Sequence, residues 1–348
     1  AGEWNRAFVT SYYEHRILSG EPEGDDSLSY ATSKLPAHMF TARMFTTGET
    51  VLSDEGFFQA RVDDMGWDEA VETHVADCVQ LQRAIEADDP NSGLCPVFAR
   101  LAVLVGGGAI NDASSVNDGV VIDVASALYQ IAFAIAQSGF YEQALVQFEN
   151  AQELLPQSQP LRASILYGAS WTLLANGDFG KAVKKIKACR KVMEDCPRTH
   201  VLYTETLQLM GDIFTADCDY KGALECYTEL VDRLRAGLPK SRIELGSALY
   251  KKGRLHQVSS DLDLAKENLM ESVRIKEELS ECSENLAQAH CALGDVFLEL
   301  RQTTEARQQF EKAIAVFGAL GVSSKTTRLR LVTGKLRLLH NDEKGCFD

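Results

Sequence analysis

The sequence contains few residues whose types and spacing could perform chemistry. Its seven histidines are dispersed, and no HExxH, GxSxG or GxxxxGK[ST] motif is present. The acidic pairs Asp25–Asp26 and Asp63–Asp64 are expected in loops, but a calcium site needs a denser alternating set of oxygens. The glycines at 106–108 follow no clear strand, which favours a hinge over a phosphate-binding loop. The sequence therefore predicts no catalytic site, no metal site and no cofactor.

Cysteine usage indicates the redox environment. The nine cysteines are odd in number and form no CxxC pair. Zinc sites usually need close-spaced pairs, and disulfide scaffolds of secreted proteins usually need an even count. We therefore expect free thiols in a reducing cytosol and a cytoplasmic location.

Charge is distributed unevenly along the chain. Residues 1–120 hold 7 basic and 20 acidic side chains, a balance of −13, whereas residues 121–348 hold 28 and 30, a balance of −2. This scarcity of positive charge argues against a nucleic-acid partner. The acidic third is either a solvated surface or a docking face for a basic partner. No membrane span is expected, since the longest apolar run, Val97 to Val105, is too short.

One pattern recurs five times, with a turn, an alanine and then a bulky side chain four residues later. The alanines are 38, 41, 42 and 41 residues apart. They are Ala144, Ala182, Ala223, Ala265 and Ala306, followed by Phe148, Ile186, Tyr227, Leu269 and Phe310. Twelve residues before each alanine stands a small residue, namely Ala132, Ser170, Gly211, Gly253 or Gly294. We expect a helix hairpin per unit, in which the small residue admits the second helix and the bulky one fills the gap toward the next unit.

This pattern resembles the tetratricopeptide repeat family over about residues 121–321. The resemblance implies an all-α fold, a right-handed α-solenoid of about five helix hairpins, and a role in protein–protein interaction. The intervals exceed the usual repeat of about 34 residues by roughly one to two helical turns. In this they are similar to kinesin light chain-type scaffolds, although the asparagine-rich first-helix signature of kinesin light chains is missing.

The regions outside the array fit the repeat less well. Residues 1–120 are expected to be acidic and mostly helical, with helical spacing at Trp4, Phe8 and Tyr12 and a degenerate repeat around Ala70. The stretch GGGAINDASSVNDG is expected to be a loop.

The carboxy-terminal segment, residues 322–348, predicts a basic amphipathic helix. Its apolar residues recur every three to four positions, and its other face is basic. The apolar residues are Leu329, Val332, Leu336 and Leu339, and the basic ones are Lys325, Arg328, Arg330, Lys335 and Arg337. A cap on the last repeat is the favoured interpretation, and a basic surface for a partner or an acidic membrane is the alternative.

The family resemblance places a concave groove along the first helices of the hairpins. Residues four apart share a helix face, so the residue three before each small residue and the residue directly after it are expected to face the groove. In repeat order, the pairs are Tyr129 and Phe133, Tyr167 and Trp171, Gln208 and Asp212, Tyr250 and Arg254, and Cys291 and Asp295. The flanking candidates are Ser126, Glu205 and Glu299.

This expected groove is polarised. Its first two repeats offer four aromatic rings, whereas the later repeats offer mixed polar groups and carboxylates, with Arg254 as an exception. Aromatic clusters rimmed by polar groups commonly mark interaction sites. The hypothesis is a non-catalytic adaptor or scaffold that binds a protein or peptide with apolar anchors at one end and basic residues at the other. Two alternatives stay open: residues 1–120 cover the aromatic rings, or the rings are plain core.

Two further functions are weighed against the adaptor. One is a permanent structural subunit of a ciliary, cytoskeletal or motor assembly, which would place the protein at those structures. The other is an enzyme with its site in residues 1–120, which the absence of a motif disfavours. The oligomeric state is left open.

Overall fold

The computed structural model describes residues 25–110, 118–156, 159–194, 200–236, 242–279, 283–321 and 327–345, and their regular secondary structure is α-helical. The chain divides into two compact units, Ala1–Thr199 and His200–Asp348. The helices of the first unit are α1 (Asp25–Thr41), α2 (Phe45–Leu52), α3 (Glu55–Met65), α4 (Trp67–Asp88), α5 (Val97–Ile110), α6 (Asp118–Gln137), α7 (Tyr141–Leu154), α8 (Pro160–Ala175) and α9 (Phe179–Glu194). Those of the second are α10 (His200–Ala216), α11 (Tyr220–Ala236), α12 (Arg242–Val258), α13 (Leu262–Glu278), α14 (Glu284–Glu299), α15 (Thr303–Ala319) and α16 (Thr327–Gly345).

Ten of these helices form the five predicted hairpins. Consecutive helices pack in the pairs α6–α7, α8–α9, α10–α11, α12–α13 and α14–α15. The all-α fold of the tetratricopeptide-type solenoid class is therefore confirmed.

All five hairpins use the same turn. Five residues before each repeat alanine, one residue adopts a left-handed backbone conformation, with a φ between 59° and 85°. These residues are Gly139, Gly177, Cys218, Ser260 and Arg301. The next amide donates to a carbonyl five residues earlier, as Asp219 does to Phe214 at 2.8 Å. This is the hydrogen bond of the Schellman motif, which closes a helix at a left-handed residue. Glycine adopts that conformation without strain, but three of the five turns adopt it with a side chain present.

The seam of each hairpin confirms the predicted pairing of small and bulky residues. The five repeat alanines, the five small residues and the five bulky residues are all buried. An added Cβ at Gly211 would lie 2.6 Å from the Tyr227 ring, and one at Gly294 would lie 2.6 Å from the Phe310 ring. The bulky residue therefore rests on the small residue of its own hairpin. Phe148 also meets the next unit, since a Cβ at Gly168 would lie 2.8 Å from its ring.

In two of the five hairpins, the side chain seven residues after the alanine forms a hydrogen bond between the two helices. The Ser272 hydroxyl donates to the Gly246 carbonyl at 2.6 Å, and the Cys189 thiol donates to the Ala163 carbonyl at 3.2 Å. Both bonds span 26 residues and are buried. The small polar side chain at this position thus satisfies a carbonyl of the first helix.

The amino-terminal helices share a hydrophobic core with the first repeats. One buried cluster runs from Leu35 on α1 to Ala169 on α8, and α4 and α5 both pack on α6. Between α1 and α2, Arg43 has a φ of 57° and the Met44 amide donates to the Met39 carbonyl at 2.9 Å. The turn of the repeats therefore occurs in this region too. Ala70, around which a degenerate repeat is predicted, is buried on α4.

Three expectations for the amino-terminal region are wrong or lie outside the described residues. The glycines at 106–108 belong to α5 rather than to a loop, because the preceding Leu101 and Val105 are fully buried and hold the helix. The pairs Asp25–Asp26 and Asp63–Asp64 lie within α1 and α3 and not in loops. The spacing at residues 4, 8 and 12 falls outside the described residues, as does most of the expected loop after the glycines.

The amino-terminal region also buries charge. Arg61 and Asp77 form a buried ion pair between α3 and α4, and the Arg61 guanidinium lies 4.7 Å from the centre of the Phe57 ring. Beside them, His74 Nε2 lies 2.8 Å from the Leu52 carbonyl oxygen. Burial and the nearby Arg61 charge lower the pKa of His74 to about 3, so its ring is neutral in the folded protein.

Helix α16 packs on the last repeat, as predicted for a cap. Val332 and Leu339 are buried in the cluster that holds Phe310, and α16 packs on α15. Its register is that of a first helix. Lys335 pairs with Asp295 on α14 and lies 5.8 Å from the Phe310 ring centre, just as Lys251 of α12 pairs with Asp212 and lies 5.8 Å from the Tyr227 ring centre.

Helix α6 is more apolar than the sequence analysis anticipated. Its residues Gly119–Gln137 are long and apolar enough to cross a membrane by length and composition. In this structure half of that stretch is buried, and Ile131 and Ala132 are fully covered by protein. Its apolar character is therefore accounted for by packing in the first repeat.

Candidate interaction surface

The thirteen groove candidates lie on the first helices of the hairpins, where the repeat register places them. Glu205 and Glu299 are exposed, and the other eleven side chains are half-buried. In chain order, α6 carries Ser126, Tyr129 and Phe133, α8 carries Tyr167 and Trp171, α10 carries Glu205, Gln208 and Asp212, α12 carries Tyr250 and Arg254, and α14 carries Cys291, Asp295 and Glu299. Their role in binding stays a prediction.

In the first unit, the aromatic candidates form a patch, which we call the aromatic patch (Tyr129, Phe133, Tyr167 and Trp171). Phe133 stacks on Tyr129 with a centroid distance of 6.2 Å and meets Trp171 at 5.8 Å. These three rings rest on the hydrophobic core and remain half-buried. Within the described residues, then, the amino-terminal region does not bury them. Such rings can accept an apolar side chain with little loss of conformational entropy.

In the second unit, three candidates line one cavity of about 470 Å³, which we call the polar pocket. It lies among α12, α14 and α16. Its lining consists of Arg254, Gln257, Val258, Asp295, Leu298, Glu299 and Lys335. The structure therefore brings Arg254, Asp295 and Glu299 together, and it adds Lys335 from the capping helix.

Hydrogen bonds organise the polar pocket. The Arg254 guanidinium donates to the Gln257 side-chain oxygen at 2.6 Å, and the Gln257 amide donates to Glu299. Lys335 donates to Asp295 from the other side. Two cations and two carboxylates thus line the cavity, and its formal charge is balanced.

Asp212 has similar partners further along the array. Lys251 donates to both of its carboxylate oxygens at 2.7 Å, and the Tyr227 hydroxyl donates to it at 2.5 Å. Burial raises the pKa of Tyr227 above its usual value, and the Asp212 charge adds to this effect. Tyr227 therefore donates as a neutral phenol.

The sequence analysis did not name Lys251, and it placed Lys335 on the basic face of the carboxy-terminal helix without pairing it with a groove carboxylate. Lys251 and Lys335 follow their partners by 39 and 40 residues, which is about one repeat. A search for opposite charges one repeat apart could have found them. Because these lysines neutralise Asp212 and Asp295, the expected excess of negative charge at this end is reduced.

In the amino-terminal region, several side chains of chemically reactive types are buried. Arg61, His74, Asp77 and Cys78 lie inside this region, and burial raises the pKa of the Cys78 thiol. The pKa of Cys95 is raised to about 11, mainly by burial. A neutral thiol is a weak nucleophile. Among the described residues, no cluster of three or more His, Cys, Asp or Glu could hold a metal ion.

Comparisons with known proteins support the fold. Residues 244–319 match the family described as tetratricopeptide repeat. No match to a curated protein sequence was found. Among solved structures, similar chains include the kinesin light chain-type TPR-like repeats of Podosopora anserina, at 17% identity and a TM-score of 0.50 over 57% of this chain and 97% of that one.

Two further structures cover more of the chain. BtubC (BKLC) from P. vanneervenii is 16% identical, with a TM-score of 0.53 over 74% of this chain and 94% of that one. The apo form of RapI is 10% identical, with a TM-score of 0.55 over 78% of this chain and 72% of that one. At these identities the likeness concerns the fold alone. Residues 244–319 thus match the tetratricopeptide repeat family, and the likeness to these solved structures shows that the array has the same type of fold.

Proposed function

We propose that the protein is a non-catalytic adaptor that binds a segment of a partner protein along the first helices of its repeats. The observation that carries this proposal is the aromatic patch, in which Phe133 contacts both Tyr129 and Trp171, and all three rings are anchored in the core yet only half-buried. A fold of repeated hairpins supplies extended surfaces for such binding. The free thiols of the described residues are compatible with a reducing cytoplasm, where we place the protein.

The chemistry of the surface suggests what the partner segment offers. The aromatic patch fits large apolar side chains, since aromatic and apolar groups supply most of the binding energy in such contacts. In the second unit, exposed carboxylates at Glu205 and Glu299 fit basic residues of a partner. The paired Asp212 and Asp295 contribute less to that attraction, so we expect the apolar anchors to dominate affinity.

The experiment is a selection of displayed random peptides on the full chain, followed by affinity measurements. Selected peptides should carry large apolar residues. We expect the Trp171→Ala, Tyr167→Ala double variant to lose at least about 30-fold in affinity, which corresponds to about 2 kcal/mol for a binding hot spot.

The matched control is Val146→Ser, which changes an exposed apolar residue on the second helix α7. It should bind the selected peptides as the unaltered chain does. A double variant that remains folded and keeps full affinity would contradict the proposal.

A further inference from the structure

The most exposed large apolar side chains of the described residues lie together on α16. Leu338 is 66% exposed and Leu331 is 58% exposed. They are seven residues apart, so they lie on one edge of the helix about 10 Å from each other. Val332 and Leu339, which hold α16 on the last repeat, face the other way and are buried.

A notch separates the two leucines. Gly334 stands between them, and a Cβ added there would have nothing within 4 Å. The side chains of Leu331 and Leu338 therefore flank an open space above Gly334, which has the form of a hole with apolar sides. In packed helices, a side chain of one helix inserts into such a hole on its partner.

Positive charge flanks the notch. Arg330 and Arg337 precede the two leucines in the chain and are exposed. Neither forms an ion pair with a described residue, whereas Lys335 on the opposite side is paired with Asp295. Guanidinium groups bind carboxylates through two parallel hydrogen bonds, so two unpaired arginines on one helix favour an acidic surface.

The register of α16 explains why its two arginines are uncovered. Lys335 occupies the position that Lys251 holds on α12, so α16 corresponds to the first helix of a further repeat. By that register Arg330 and Arg337 correspond to Gly246 and Gly253, which α13 covers. By the same register Gly334 and Leu338 correspond to Tyr250 and Arg254, which are groove positions that a second helix does not cover. In the described residues no second helix covers α16. Two exposed arginines there suit a covering helix that carries carboxylates.

We propose that the face of α16 formed by Arg330, Leu331, Gly334, Arg337 and Leu338 docks an acidic amphipathic helix of a partner protein. An apolar side chain of that helix enters the notch at Gly334. Its carboxylates pair with Arg330 and Arg337. This site is separate from the aromatic patch and does not depend on it.

The experiment uses the full chain and a displayed library of amphipathic helices. Their apolar face is fixed as leucine, and the flanking positions are randomised among Glu, Gln and Lys. We expect the selection to enrich Glu, and salt to weaken binding of the enriched helices. Arg330→Glu with Arg337→Glu should bind the enriched helices at least tenfold more weakly and should select Lys instead.

The decisive variant is Gly334→Leu, which fills the notch. A mid-helix glycine is unfavourable and has free space around it, so this substitution should not unfold α16. Affinity for the enriched helices should nevertheless fall at least tenfold. Two control variants should retain full affinity: Leu264→Ser with Met270→Ser, which alters exposed apolar residues of α13, and Trp171→Ala with Tyr167→Ala.

Four outcomes would overturn the proposal. The first is a selection that enriches no helix or enriches Lys. The second is unchanged affinity in the Gly334→Leu variant. The third is self-association in sedimentation velocity that Gly334→Leu abolishes while no acidic helix binds, since the occupant would then be a second copy. The fourth is binding to anionic phosphatidylserine vesicles in place of the helices, since the face would then recognise a membrane.

Discussion

The first two repeats and the last two have the same kind of seam between their paired helices. They differ in the groove residues that their first helices carry. In both regions a buried ring lies at the bulky position, as Phe148 and Phe310 show. On the first helices, however, α6 and α8 carry contacting aromatic rings, whereas α12 and α14, together with Lys335 of α16, carry a hydrogen-bonded set of charges with no net formal charge. Packing residues thus recur because each hairpin must bury the same surface, whereas groove residues can vary because packing within the hairpin does not constrain them.

Truncating the bulky residue of the hairpin seam should have the largest effect on stability, and the loss should be similar in both regions. We expect Phe148→Ala and Phe310→Ala each to lower the free energy of unfolding by about 3–5 kcal/mol, because each leaves a cavity beside a small residue. Urea denaturation followed by circular dichroism would measure this. The exposed Val146→Ala and Leu264→Ala should change stability by no more than about 0.5 kcal/mol. Tolerance of either phenylalanine substitution would show that the two seams are not equivalent.

Breaking an ion pair should cost more stability in the first unit than in the second. Asp77→Asn leaves the buried Arg61 charge without its carboxylate and should cost about 3–5 kcal/mol. Asp295→Asn breaks a pair whose side chains are 25–29% exposed, and should cost about 1 kcal/mol or less. The same denaturation measurement compares them. Equal costs would mean that burial does not distinguish these pairs.

Acid should destabilise the first unit through His74. Its pKa is about 3 in the folded protein, whereas the unfolded chain takes up the proton near pH 6.5. The unfolded state therefore binds more protons, and stability falls as the pH decreases from about 6.5 toward 3, by at most about 1.4 kcal/mol per pH unit. Unfolding measured across this range should show a shallower pH dependence in His74→Gln. His38→Gln, in a half-buried position on α1, should keep the original slope, and a His74→Gln slope equal to it would contradict the assignment.

Substitutions at the left-handed turn residues should change the free energy of unfolding the least. We expect an increase for the turn in the second unit and a decrease for the turn in the first. Ser260→Gly removes the backbone strain of a serine in the left-handed conformation, so it should raise the free energy of unfolding by up to about 1 kcal/mol. Gly177→Ala introduces the same strain and should lower it by a similar amount. Thermal denaturation would register both shifts. A stabilising Gly177→Ala would show that this turn does not need its left-handed residue.

Local periodicity was sufficient to predict the hairpins. Alanine, a small residue twelve positions earlier and a bulky one four positions later are all consequences of two helices in close contact. At Gly211 this contact is so close that an added Cβ would lie 2.6 Å from the Tyr227 ring. The helical glycines of α5 could not be predicted in this way. Their local propensity favours a loop, and burial of Leu101 and Val105 overrides it.

The candidate surface was predictable only in part. Helix register placed Arg254, Asp295 and Glu299 on the correct helices, but their assembly in one pocket with Lys335 depends on how α16 docks. The ion pairs of Lys251 and Lys335 join residues about one repeat apart. They neutralise carboxylates that the sequence alone presents as free, so the list of groove candidates overstated the negative character of this region.

The most direct test of the account compares the aromatic patch with the polar pocket as sources of affinity. One display-selected peptide would be titrated against Trp171→Ala with Tyr167→Ala and against Arg254→Ala with Glu299→Ala. The account predicts a loss of at least about 30-fold for the first variant and of about threefold or less for the second, as expected for an aromatic anchor and a polar rim. A larger loss in the polar-pocket variant, with the aromatic variant binding normally, would contradict it.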